Sequence, residues 1–195
     1  MRKRILFLAL LCTALLFSGC AAPTLDQLYS LPRRSEAYSN LQTAMDEAMA
    51  GMEFAAPVSG ENQQTVQQAD LDGDGMAEYL LFARDQEDKV PKVLIFRRTE
   101  DTFCLITSID FPGISFEQVE YVNVDDRPGM EMVIGSRFSD QVLGIMSVYT
   151  FSADGPVQLM TSNYSKFLVC DLDRNGQSEV VLLVPGETDS DHGIS

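Results

Sequence analysis

The chain has a single histidine, His192, near its C-terminal end, and only 14 basic residues against 29 acidic ones. With one histidine there is no His/Cys metal cluster. A Ser-His-Asp or Cys-His arrangement would have to use His192, and the tail of a chain is a poor place for an oriented base. No glycine-rich phosphate loop occurs. These absences count against an enzyme such as a hydrolase. The scarcity of positive charge, with a formal net charge of −15, argues against nucleic acid and against electrostatic binding to anionic lipid. A hydrophobic content of 45% belongs to a globular chain rather than a disordered one.

Long apolar runs are also missing, with one exception at the start. Arg2, Lys3 and Arg4 precede an apolar stretch from Ile5 to Phe17. That stretch is shorter than the ~20 residues a helix needs to cross a bilayer, so it reads as an export signal. It ends in Leu16-Phe17-Ser18-Gly19-Cys20, which resembles the lipobox of bacterial lipoproteins. The resemblance implies a signal over 1–19, lipidation of Cys20 and attachment to a membrane on its extracytoplasmic face. The alternative is an ordinary secretory signal that happens to contain Cys20. Removing 1–19 takes away three positive charges and no negative ones, so −15 becomes −18. Attachment must therefore come from the lipid.

Four cysteines occur, and Cys12 falls within the signal. Cys104 and Cys170 sit in apolar, strand-like runs, where free cysteine usually acts as a small buried hydrophobe. An exported chain could also join them in a disulfide.

What the chain does have is an acidic nine-residue loop, present three times. The copies are Asp70-Leu71-Asp72-Gly73-Asp74-Gly75-Met76-Ala77-Glu78, then Asn123-Val124-Asp125-Asp126-Arg127-Pro128-Gly129-Met130-Glu131, then Asp171-Leu172-Asp173-Arg174-Asn175-Gly176-Gln177-Ser178-Glu179. Each runs into an apolar strand. Starts at residues 70, 123 and 171 give a period of about 50, the mark of a repeat architecture. Oxygen ligands at positions 1, 3 and 5 converge on one point if position 6 permits a tight turn, which glycine does. Hard cations take six to eight such oxygens, often with a backbone carbonyl at position 7. The predicted ligands in copy one are Asp70, Asp72, Asp74, the carbonyl of Met76, and Glu78. In copy three they are Asp171, Asp173, Asn175, the carbonyl of Gln177, and Glu179. An EF-hand shares the opening but needs a Glu at position 12 and a following helix. Position 12 is Leu81 or Leu182, and strands follow. Copy two has Arg127 at position 5 and Pro128 at position 6, and is expected to be metal-free. The plain alternative for all three is a solvated Asp/Gly turn.

Acid at positions 1, 3, 5 and 9 followed by an apolar strand resembles the calcium loops of integrin-type (FG-GAP/VCBS) β-propeller repeats, over roughly residues 60–184. The resemblance implies structural calcium. The expected fold is all-β with one N-terminal helix: a partial propeller of two to three antiparallel four-stranded blades.

Residues 20–34 read as a tether and 35–51 as a helix. Ser35 serves as N-cap, Gly51 as the glycine after the end, and Tyr38, Leu41, Met45, Ala48 and Met49 form one apolar face. That face is expected to pack on the first blade or cover an open edge. Residues 52–195 carry the repeats, and the ending is expected to be a truncation, because it does not resemble a closing strand. The functional expectation is an anchored extracytoplasmic module, stabilised by calcium, that binds a protein or glycan of the cell envelope. The alternative is a structural or adhesin subunit that self-associates.

Overall fold

The computed structural model describes residues 36–100, 102–138, 143–152 and 154–184. The signal segment, Cys20, the tether, the Ser35 cap and His192 lie outside the described residues.

Helix α1 (Glu36–Ala48) comes first, and Gly51 after it has a φ of 77°, where glycine carries no side-chain penalty. Eleven strands follow among the described residues: β1 (Met52–Phe54), β2 (Val66–Ala69), β3 (Glu78–Asp85), β4 (Pro91–Thr99), β5 (Thr102–Asp110), β6 (Ser115–Val122), β7 (Glu131–Arg137), β8 (Gly144–Ser152), β9 (Gly155–Tyr164), β10 (Lys166–Cys170) and β11 (Glu179–Leu183).

All pairings are antiparallel and group the strands into three sheets. In sheet 1, β3, β4 and β5 pair in chain order, while β1 and β2 share the other edge of β3. β1 lies along Ala83–Asp85 and β2 along Glu78–Leu81. Sheet 2 runs β6-β7-β8-β9, and sheet 3 is the pair β10-β11. The fold is thus largely antiparallel β with one short helix. No sheet closes on itself among the described residues.

The sheets stack into a layered core. Side chains alternate across a strand, so each strand buries two sets in opposite directions. From β3, Leu80 and Phe82 face sheet 2, while Leu81 and Ala83 face α1. From β7, Met132 and Ile134 face sheet 1, and Val133 faces sheet 3. From β10 and β11, Phe167, Val169, Val180 and Leu182 face sheet 2. The outward face of sheet 1, including Leu94 and Phe96, is covered by Ala44, Met45, Ala48 and Met49 of α1. The helix therefore packs on the first sheet, one of its two expected places.

The cysteines differ from expectation in burial but not in being unpaired. Both are free thiols; Cys104 is exposed and Cys170 half-buried. β5 is the fourth strand of sheet 1, and most of its side chains, including Leu105 and Ile106, are uncovered despite their apolar character.

Candidate metal centre

Each acidic loop joins the first strand position of its sheet to the second: β2 to β3, β6 to β7, β10 to β11. Position 9 does the same work in all three. The carboxylate there turns back and accepts the N–H of position 2. Leu71 donates to Glu78 at 3.0 Å, Val124 to Glu131 at 3.0 Å, and Leu172 to Glu179 at 2.7 Å. This closure occurs even in the second loop, so the acid at position 9 has a structural role whether or not metal binds.

Adjacent loops are joined by a second repeated bond. The position 8 N–H of one loop donates to the position 1 carbonyl of the loop before it: Met130 to Asp70 at 3.0 Å, and Ser178 to Asn123 at 2.7 Å. Position 7 also meets position 4 of the preceding loop. A Cβ on Gly73 would lie 2.5 Å from the Gly129 nitrogen, and the Gln177 amide donates to Asp126 at 2.6 Å. The three loops form one row at one end of the sheets.

In the first and third loops the position 1 aspartate collects backbone N–H groups. Asp70 accepts from Gly73 at 2.8 Å and Gly75 at 3.0 Å; Asp171 accepts from Asn175 at 3.1 Å and Gly176 at 2.9 Å. Position 6 is a donor in both. In the second loop position 6 is Pro128, which has no N–H to give. The buried Oδ1 of Asn123 there has no hydrogen-bond partner among the described residues.

Three of the predicted ligands converge in the first loop and three in the third. Carboxylate oxygens of Asp70, Asp72 and Glu78 lie within 4.8 Å of one another, as do those of Asp171, Asp173 and Glu179. The position 5 side chains take a local partner instead: Asp74 accepts from Met76 N–H and Asn175 from Gln177 N–H, both at 2.7 Å. The donor set is all oxygen, which suits a hard cation.

The first and third sites differ in a residue that lies outside the loop motif. Arg97 of β4 reaches into the first loop. Its Nε donates to Glu78 at 2.9 Å, and its Nη2 pairs with Asp72. Glu78 is only 2% exposed, so an unpaired charge there would be costly. Burial of the guanidinium opposes its ionisation. The hydrogen bond to Glu78 and the charges of Asp72, Glu78 and Asp74 outweigh that and raise its pKa. The signal for this contact was the pattern Val93, Ile95, Arg97, a cation on the inward face of a strand. In the second loop Arg127 pairs with its own loop, on Asp125, at 2.8 and 2.6 Å. No basic side chain among the described residues pairs with Asp171, Asp173 or Glu179.

Comparison of the chain with family models, with curated proteins and with solved structures finds no match.

Proposed function

We propose that this chain is a lipid-anchored, extracytoplasmic module of β-propeller-type repeats of the FG-GAP/VCBS kind, and that it binds a protein or glycan at the cell envelope. One observation carries the reading: three loops share one nine-residue frame, one internal closure and one loop-to-loop bond. A row of equivalent loops on one face of a repeat stack is where such folds commonly carry their binding surface. Calcium is proposed as a structural ion. The third loop suits it best, since its carboxylates converge, face solvent and have no cationic partner among the described residues. All its ligands sit on one short loop, so the ion would stiffen a turn rather than perform chemistry.

The test is thermal unfolding of the full chain in EDTA and in millimolar calcium. A ligand at 100 times its Kd that binds only the folded state adds about 2.7 kcal/mol. The expected result is a higher Tm in calcium that Asp173→Ala abolishes. No shift in the wild type would overturn the calcium reading. Cys20→Ser should move the protein from the membrane fraction to the soluble one, and continued membrane retention would overturn the anchor.

A self-associating structural subunit is the second reading. It is favoured by the outer face of sheet 3, where Leu168, Val181 and Leu183 are exposed.

A further inference from the structure

We propose that Arg97 is the resident cation of the first acidic loop, doing for Asp72 and Glu78 what a divalent ion would do, so that this loop closes without metal. The proposal rests on the reading of these loops as cation sites and adds which loop responds to metal.

The argument starts from register. Tyr79 pairs with Phe96, which sets Glu78 beside Arg97 across β3 and β4. In sheet 2, Met132 pairs with Tyr149, which sets Glu131 beside Thr150, and the Thr150 hydroxyl donates to Glu131 at 3.1 Å. The same cross-strand position thus holds a cation in one repeat and a neutral donor in the next. Where it is neutral, a guanidinium appears inside the loop instead, at Arg127. The first two loops therefore each pair a guanidinium with their carboxylates, drawn from different places in the repeat, whereas Arg174 in the third loop pairs with none of its carboxylates among the described residues.

The geometry of the first loop is that of an occupied site. The guanidinium spans the carboxylates at positions 3 and 9, two of the three whose oxygens converge. A planar fork with several fixed donors can bridge two carboxylates as an ion does. A divalent ion entering here must displace the guanidinium or share its oxygens against like charge. A cavity of about 180 Å³ opens beside it, lined in part by Leu71, Ile95, Ile106 and Phe151. Truncating Arg97 therefore leaves room for a hydrated ion.

The experiment compares calcium-dependent unfolding of the full chain in two variants. In Asp173→Ala the third loop is disabled, and the first loop is expected to give no calcium response. In Asp173→Ala/Arg97→Ala, Tm in EDTA should fall by about 5 °C or more, because two carboxylates lose their partner. Calcium should restore most of that loss, an effect that removing an ordinary ion pair does not produce. A double variant that calcium does not stabilise overturns the proposal. So does a calcium shift in the single variant that Asp72→Asn removes. Failure of the calcium reading itself has a separate signature, a wild type without any shift.

Discussion

Gly73 and Gly129 meet where the first two loops touch. Both have positive φ, 76° and 102°, and a Cβ on either would lie within 2.5 Å of the other loop's backbone. Gly75, two residues from Gly73, has φ 87° but open space around its missing Cβ. The pair separates two costs of a side chain. Gly75→Ala is expected to lose about 1 kcal/mol through backbone strain alone. Gly129→Ala is expected to lose at least about 2 kcal/mol more, since the loop row must also part. Chemical denaturation of both variants checks this, and equal losses would mean that the loops do not support one another.

At the opposite end of sheet 2, a β-bulge between Phe116 and Gln118 leaves Glu117 out of the ladder. Bulges re-aim side chains, and this carboxylate receives both the Arg137 guanidinium and the Tyr164 hydroxyl. Partial burial opposes ionisation of Glu117. The hydrogen bonds from Arg137 and Tyr164 outweigh it and lower the pKa below 4.5. A lowered folded pKa means stability that is fully present above the unfolded value and lost as pH falls through the folded one. Stability should therefore decline below about pH 4.5, and Glu117→Gln should flatten that decline. An unchanged acid limb in the variant would remove Glu117 as a cause. The alternation Val93, Ile95, Arg97 marks an inward cation, but neither its partners nor the bulge at Glu117 was legible in the sequence, because both depend on which residue lies across the ladder. The convergence of Asp70, Asp72 and Glu78 was legible, because nine consecutive residues fix it.

The elements themselves were readable from periodicity. The strand expected after each acidic loop is present, as β3, β7 and β11, and α1 occupies Glu36–Ala48 within the expected 35–51. Two things at this scale were not readable. The sharing of one β3 edge by β1 and β2 is a matter of tertiary pairing. The exposure of β5 is a matter of position: Leu105 and Ile106 have strand composition but lie on an outer strand, so neither they nor Cys104 are covered. Burial follows the neighbouring layer, not the residue type. The helix shows the converse. Leu81, Ala83, Leu94 and Phe96 are almost fully buried because Ala44, Met45, Ala48 and Met49 lie over them. Met45→Asp would press a carboxylate into that layer with no cation in the cluster. It is expected to destabilise by roughly 2–4 kcal/mol. A loss below about 0.5 kcal/mol would show that α1 contributes little cover.

The layers are equivalent, which makes the third one informative for the whole molecule. Counted from the position 9 glutamate, the second and fourth residues of the following strand face the next layer. In sheet 1 these are Leu80 and Phe82, both 0% exposed against sheet 2. In the second they are Val133, 0% exposed, and Gly135, where a Cβ would collide with Tyr164 and Phe167. In the third they are Val181 and Leu183, 42% and 62% exposed. Beside them Leu168 is also uncovered, and β11 pairs only with β10 among the described residues. An apolar sheet face beside a strand edge that no described residue pairs is the kind of surface on which association is tested. Substituting it should thus reduce association without harming the fold, the reverse of substituting its equivalents. Val181→Thr/Leu183→Thr is expected to change unfolding free energy by less than about 0.5 kcal/mol, as exposed positions do. Leu80→Ala should cost about 2–5 kcal/mol through the cavity it leaves. Sedimentation of the full chain should show concentration-dependent association that the double variant weakens. If the double variant instead unfolds as readily as Leu80→Ala, Val181 and Leu183 are covered within the same molecule, and the self-associating reading loses its support.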